Sequence, residues 1–393
     1  MTDLATAPAE MVRCLYPGSA TPAGSSGPSR RTLVALPSLD RARMLLPAEP
    51  RLAASAMRRS RRLSTRRDRW TTAAVALALR GGAGRVVGER VEVGSGGRTV
   101  DDELSDLLGR PVVTSVFLGP PRANRKPVLQ LIDPHGALVG VAKVGVTPLA
   151  ARLALHEADV LRRLAEQPLG VVSAPRLVGT TEFAGFPVVV QSALPVWEQP
   201  PGNPSADVVA AMAEIATGAG TTRVPLGALA HREALVERAA RLEDGFVRDT
   251  VTRVLREQVP DDLEVEVGAW HGDLSVHNLA ATRERRVLVW DWERYETGVP
   301  VGFDVLHHTF LPLLRSRSDR PAQDLLAAAP RLLEPFGVDA PRADAVTRLY
   351  LATLATRFAG DGQARTGTAG GDVVRWLRPL VQDGPDRPRS TDG

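Results

Sequence analysis

Two stretches decide the fold: Trp270-His-Gly-Asp-Leu-Ser-Val-His-Asn278, and Val287-Leu-Val-Trp-Asp-Trp-Glu293, which follows it closely. Asp273 stands at the start of a loop, where an aspartate can accept the proton of an incoming hydroxyl group. Asn278, five residues on, can direct its carbonyl oxygen toward a metal ion held on phosphates. Asp291 ends an apolar strand, and a carboxylate there suits a hard cation such as Mg²⁺, which prefers oxygen ligands. A capping aspartate and a turn asparagine are the plainer alternative for either stretch alone.

A lysine lies upstream in the apolar strand Val141-Ala-Lys-Val144. The chain has only two lysines, Lys126 and Lys143, although arginine is abundant. A lysine at this place can put its ammonium group between phosphate oxygens. Glu157, on the helix predicted to follow, is positioned to pair with it. The alternatives are a surface lysine at a strand end and a solvated glutamate.

Together these residues resemble the aminoglycoside phosphotransferase and choline kinase-like families, whose signature is H-G-D-x-x-x-x-N followed by an apolar strand and D-[WFL]-E. Val141–Val144 resembles the V-A-I-K strand of kinases. The resemblance covers roughly residues 110–310. It implies a protein-kinase-like fold, ATP and Mg²⁺ as cofactors, Asp273 as catalytic base, and Asn278 and Asp291 as magnesium ligands.

The resemblance also implies the nucleotide contacts. Lys143 and Glu157 would form the lysine–glutamate ion pair of kinases. Backbone groups near Gln191 and Ala193 would contact an adenine, a placement that rests on order along the chain. Asp304, which follows Gly298-Val-Pro300, would brace the catalytic loop.

The predicted phosphate loop departs from the kinase pattern. Kinases use three glycines there, whereas this chain has Gly119-Pro-Pro-Arg-Ala-Asn-Arg-Lys126. Prolines have no backbone N–H to donate, so a cradle built from backbone groups alone is disfavoured. Arg122, with Arg125 and Lys126, could supply positive charge instead. The alternative is a basic loop in solvent.

The order of elements predicts an α+β fold with two lobes. We assign residues 85–194 to an N-lobe, an antiparallel sheet plus one helix, and residues 195–382 to a mainly helical C-lobe. From Val112 onward the N-lobe reads as three strands, a helix and two strands. Residues 1–84 read as a partly disordered extension with an arginine-rich helix, in which residues 1 to about 30 lack structure. Residues 383–393 read as a disordered tail.

Composition limits the compartment and the partners. The single cysteine, Cys14, excludes a disulfide within the chain and favours a reducing, cytoplasmic location. No stretch is long and apolar enough to span a bilayer, and no secretory signal is recognisable. The net charge of +4 owes much to Arg58–Arg69. That segment reads as a solvated helix, with weak contact to a membrane surface or an acidic partner as the alternative; no aromatic-interleaved motif supports nucleic-acid binding.

Three functions compete on the sequence alone. The first is an ATP-dependent phosphotransferase that acts on a hydroxyl group of a small molecule. The second is a non-catalytic kinase-like binding or scaffold protein, which the irregular loop at Gly119–Lys126 favours. The third is a peptide or protein kinase, which the lack of an A-P-E segment after Asp291 disfavours.

Overall fold

The computed structural model describes residues 8–17, 21–22, 31–60, 66–82, 84, 88–93, 97–119, 124–200, 202–316, 318–363 and 372–382. The chain forms two compact units. The first unit comprises residues up to Glu166 together with Ser173–Asn203 and Ala280–Glu293. The second unit comprises Gln167–Val172, Pro204–Leu279 and the residues from Arg294 onward.

A nine-stranded antiparallel sheet forms the centre of the first unit. Its strands are β1 (Thr21–Pro22), β2 (Arg31–Leu36), β3 (Met44–Pro47), β4 (Glu89–Val93), β5 (Val113–Phe117), β6 (Val128–Ile132), β7 (Leu138–Val144), β9 (Leu177–Phe183) and β10 (Phe186–Gln191). They lie in the order β1-β4-β2-β3-β5-β6-β7-β10-β9. The helices of this unit are α1 (Pro8–Leu15), α2 (Pro50–Arg58), α3 (Arg66–Arg80), α4 (Val100–Leu108) and α5 (Pro148–Ala165).

The predicted order of elements after Val112 is confirmed. Strands β5, β6 and β7 are followed by α5 and then by β9 and β10. Helix α5 begins where the sequence signals it, because Thr147 caps its N-terminus by accepting from the N–H of Ala150, and Pro148 occupies the first turn. The short strand β8 (Val172–Ser173) was not predicted.

The N-terminal residues contain more structure than the sequence predicted. The prediction that residues 1 to about 30 lack structure is wrong for residues 8–16, where α1 buries Met11, Val12 and Leu15. The segment assigned to an extension also contributes β2 and β3 to the nine-stranded sheet. The alanine- and proline-rich composition of this segment predicted disorder, although its apolar side chains stabilise it by packing on the sheet. The tail at residues 383–393 lies outside the described residues.

A buried polar group ties this N-terminal segment to the sheet. Tyr16 bonds through its hydroxyl to Thr114 on β5 and to Asp101 on α4. Arg31, on β2, forms an ion pair with the same Asp101 carboxylate. Buried polar groups are tolerated when they are bonded to one another, so this network fixes one arrangement of α1, β2 and β5.

The second unit is mainly helical, as predicted. Its helices are α6 (Ser205–Thr217), α7 (Ala230–Ala240), α8 (Gly245–Glu257), α9 (Phe303–Arg315), α10 (Pro321–Leu333), α11 (Ala340–Gly360), α12 (Val373–Leu377) and α13 (Pro379–Gln382). Three strands accompany them, β11 at Thr222–Pro225, β12 at Glu264–Trp270 and β15 at Glu296–Pro300, and they form a sheet in the order β11-β12-β15. Among the described residues, no helix combines the length and the apolar character that crossing a membrane requires.

Two short strands flank the second motif. Strand β13 spans Leu279–Ala281 and β14 spans Val287–Val289, and they form a three-stranded sheet with β8 in the order β13-β14-β8. All three residues of β14 are hydrophobic, and Leu288 is only 5% exposed. Because this strand is packed and ends at Val289, it fixes the position of Asp291 just beyond its end.

Candidate functional site

In the first unit, Lys143 lies at the centre of an ion-pair network. Its ammonium group donates to both carboxylate oxygens of Glu157 at 2.6 Å and to Oδ1 of Asp291 at 2.7 Å. Glu157 is fully buried on α5 and also accepts from the backbone N–H of Trp292 at 3.2 Å. The lysine–glutamate pair predicted from the sequence is therefore present, and Asp291 joins it.

The backbone turns sharply at Asp291. This residue has φ +71°, in the left-handed region that only a few per cent of non-glycine residues adopt. Asp tolerates this conformation better than most residues, and such conformations are common at functional sites. The turn lies directly after the packed strand β14, so it sets the direction of the carboxylate toward Lys143.

Lys126 reaches the same carboxylate from the irregular loop, which sequence reasoning considered only as a source of charge. Its ammonium group lies 3.3 Å from Oδ1 of Asp291 and forms an ion pair with Glu293. Asn124 donates to Oε1 of Glu293 at 2.9 Å. Both lysines of the chain therefore meet at Asp291. Because lysine is so rare in this chain, its scarcity was the sequence signal that could have predicted a shared site for the two lysines.

The charges of this group determine its protonation. Burial by itself would raise the pKa of Asp291, but the Lys126 and Lys143 ammonium groups hold that pKa well below its usual range. Burial opposes the charged form of Lys143, yet the carboxylates of Asp291 and Glu157 raise its pKa. Burial lowers the pKa of Lys126 against the attraction of Asp291. Three carboxylates and two ammonium groups leave this group with one net negative charge when all are ionised.

The donor set in the first unit fits a hard divalent cation. Glu157, Asp291 and Glu293 each offer a carboxylate oxygen, and these oxygens lie within 4.8 Å of one another. Asp291 is the accessible member, with 26% of its side chain exposed against 3% for Glu293. Of the two magnesium ligands predicted from the sequence, Asp291 is in this group. Asn278 is in the second unit and is described with it.

In the second unit, Asp273 is held by two side chains. His307 on α9 bonds through Nε2 to Oδ1 of Asp273 at 3.1 Å. Asn278 donates through Nδ2 to the Asp273 backbone carbonyl at 2.8 Å and to Oδ2 at 3.0 Å. With its amide nitrogen used in this way, Asn278 keeps its carbonyl oxygen as the atom suited to a cation. The structure thus brings the predicted base and the predicted asparagine ligand together.

His307 is a functional candidate that sequence reasoning missed. It is fully buried, and its Nδ1 lies 3.0 Å from the hydroxyl of Tyr350. Burial lowers the pKa of His307, so the neutral imidazole is favoured. A neutral ring that accepts from the Tyr350 hydroxyl carries its proton on Nε2 and donates it to Asp273. His307 lies on a helix 34 residues after Asp273, outside the motif, so the spacing of the motif could not predict it.

Asp304 braces the loop that carries Asp273, as predicted. Its carboxylate accepts from the backbone N–H of His271 at 2.7 Å and from that of Gly272 at 3.3 Å. Arg357 on α11 donates to the Gly272 carbonyl at 2.6 Å and lies over the Trp270 ring. The loop before Asp273 is therefore fixed on both its N–H and its C=O groups.

The other residues predicted to contact a nucleotide lie in the first unit or outside the described residues. Gln191 is buried at the end of β10, opposite Val141, and Ala193 follows it in the chain. Arg122 lies outside the described residues. Arg125 is buried and donates through Nε to the carbonyl of Leu118 at 2.8 Å, so it supports the loop.

The arginine-rich segment is partly engaged within the first unit. Arg59 donates to the carbonyl of Gly136 and lies over the ring of Trp197. Arg69 donates to the carbonyl of Gln199 at 2.5 Å. Arg58 and Arg67 are exposed, so weak contact with a membrane surface or an acidic partner stays a prediction for these residues.

No family model and no curated protein matches this chain. Solved structures similar to it include a choline kinase from Streptococcus pneumoniae, at 17% identity over 72% of this chain and 96% of that one, with a TM-score of 0.46. A macrolide 2'-phosphotransferase from Brachybacterium faecium matches at 17% identity over 72% and 97%, with a TM-score of 0.43. An aminoglycoside phosphotransferase from Alicyclobacillus acidocaldarius matches at 16% identity over 65% and 90%, with a TM-score of 0.33. The first and the third of these proteins bear the names of the families that the sequence motifs resemble.

Proposed function

We propose that this chain is an ATP-dependent phosphotransferase that transfers the γ-phosphate to a hydroxyl group of a small molecule. The observation that carries the proposal is the network in which Lys143 bonds Glu157 and Asp291 at once. A buried lysine held between a helix glutamate and a carboxylate at a strand end is the arrangement that phosphate positioning needs. The neutral His307 that holds Asp273 is the second support.

The proposed chemistry assigns one role to each residue. Asp273 accepts the proton of the acceptor hydroxyl group while the oxygen of that hydroxyl group bonds to the γ-phosphorus. The bond from that phosphorus to the bridging oxygen breaks, and ADP leaves with the electron pair. Lys143 neutralises phosphate oxygens, and backbone groups at Gln191 and Ala193 contact the adenine. Mg²⁺, held by Asn278 and Asp291, would neutralise charge on the phosphates.

Two further observations support a cytoplasmic location and a small acceptor. The single cysteine is only half-buried, which suits a reducing compartment. Asp273 keeps 38% of its side chain exposed although His307 and Asn278 hold it, so an acceptor can reach its carboxylate.

The test is an ATP-consumption screen with Mg²⁺ over aminoglycosides, amino alcohols, sugars and nucleosides. With any acceptor that gives turnover, Asp273→Ala should lower kcat by about 10²- to 10⁴-fold, because it removes the base. Asp262→Ala is the matched control, since Asp262 is an exposed carboxylate of the same unit. Absence of Mg·ATP binding, or turnover retained in Asp273→Ala, would refute the proposal in this form.

A further inference from the structure

The two lysines of the chain meet on one carboxylate oxygen, although 49 residues are Lys or Arg. Lys143 and Lys126 lie 2.7 and 3.3 Å from Oδ1 of Asp291. Lys126 also pairs with Glu293, which Lys143 does not contact in this way. An ammonium group is a compact point charge, whereas the guanidinium group of arginine is a planar fork, so the two are not interchangeable between the carboxylates of Asp291 and Glu293. The second lysine is therefore a specific part of this group.

Hydrogen bonds hold the described residues on both sides of Lys126. Arg43 donates to the carbonyl of Gly119 at 2.8 Å, and Arg125 donates to that of Leu118 at 2.8 Å. Pro127 follows Lys126, and its carbonyl accepts from the N–H of Val144, next to Lys143. These contacts place the Lys126 ammonium beside Asp291 without the glycines of a backbone cradle.

From this geometry we infer that Lys126 is a second phosphate-binding lysine and couples the binding of the nucleotide to that of the divalent cation. The inference rests on the proposed function. The Lys126 ammonium neutralises Asp291 and Glu293, the same carboxylates that offer oxygens to a cation, so it opposes a cation that arrives alone. The polyphosphate of the nucleotide brings negative charge that attracts both the Lys126 ammonium group and the cation. The nucleotide and the cation therefore bind together.

The test measures binding, so it does not depend on turnover. Mn²⁺ binding is followed by its EPR signal, and ADP binding by calorimetry, each with and without the other ligand. In Lys126→Met we expect Mn²⁺ alone to bind about 10-fold more tightly and ADP alone about 10-fold more weakly. The increase in Mn²⁺ affinity that ADP causes should shrink accordingly. Arg110→Met, an exposed cation in the same unit, should leave all three values unchanged.

A second variant guards against loss of structure. Lys126→Met leaves Glu293 buried without its ammonium partner, so Lys126→Met/Glu293→Gln, which removes both charges, is measured beside it. The double variant should lose ADP affinity as the single variant does. If wild-type protein binds ADP and both variants bind it equally well, the role of Lys126 is refuted while the proposed function stands. If wild-type protein binds no nucleotide with or without Mn²⁺, the proposed function itself fails.

Discussion

At the scale of single residues, Gly272 shows how closely the loop before Asp273 is packed. It has φ +83°, and a Cβ atom at this position would lie 2.1 Å from the carbonyl oxygen of Arg294. The Arg294 backbone and the two groups that bond Gly272 leave no room for a shift. Glycine is therefore required here for two reasons, its backbone conformation and the space it leaves.

We expect Gly272→Ala to lower the free energy of unfolding by about 3 kcal/mol, the sum of a left-handed alanine and an overpacked contact. Gly298→Ala is the matched control, because Gly298 has φ +79° and a Cβ atom added there would meet no heavy atom within 4 Å. It should cost about 1 kcal/mol, for the backbone alone. Urea unfolding of both variants measures the difference, and equal losses would contradict the packing argument.

Sequence patterns predicted the residues whose spacing along the chain is short. Asp273 and Asn278 share one loop and bond each other, and Lys143 and Glu157 are joined by one strand–helix connection. His307 and Lys126 escaped prediction as partners because their contacts cross 34 and 165 residues of sequence. Tertiary packing creates such contacts. No motif marks His307, and for Lys126 the scarcity of lysine was the one signal in the sequence.

At the scale of elements, α9 supplies the carboxylate that braces the loop before Asp273. Asp304, in its first turn, accepts from the N–H groups of His271 and Gly272. Burial nevertheless raises the pKa of Asp304 to about 7. In the unfolded chain the pKa of an aspartate is about 3.9. The stability that this carboxyl contributes is therefore complete below about pH 4 and is lost as the pH rises through 7.

This linkage predicts the pH dependence of Asp304→Asn, which cannot titrate. The variant should be less stable than wild type at pH 5, and the gap should narrow by pH 8 because only wild type loses stability over that range. Urea unfolding at the two pH values measures the gap. Asp262→Asn, which removes an exposed carboxylate, should show a gap that does not change with pH. A gap for Asp304→Asn that stays constant or widens by pH 8 would mean that burial does not control its ionisation.

At the scale of the whole molecule, the question is whether residues 1–84 are an appendage or part of the first unit. The sequence favoured an appendage, since arginine-rich and alanine-rich composition dominates there. In the structure, β3 pairs with β5 through Met44–Phe117 and Leu45–Val116. Leu45 also shares one buried apolar cluster with Val116 and Leu129. Composition could not predict this, because strand pairing across seventy residues depends on which edges remain free after folding.

A chain that begins at residue 85 should therefore fail to form a stable first unit. Removing β2 and β3 leaves β5 as an open edge and exposes the apolar face that Leu33 and Leu45 cover, so we expect association and a lower melting temperature. Size-exclusion chromatography and thermal unfolding of residues 85–393, beside a chain that lacks only residues 1–7, measure both effects. The shorter deletion keeps α1 and should behave as the full chain does. A monomeric 85–393 chain with an unchanged melting temperature would show that the N-terminal strands are dispensable, because an open β5 edge would then cost nothing measurable.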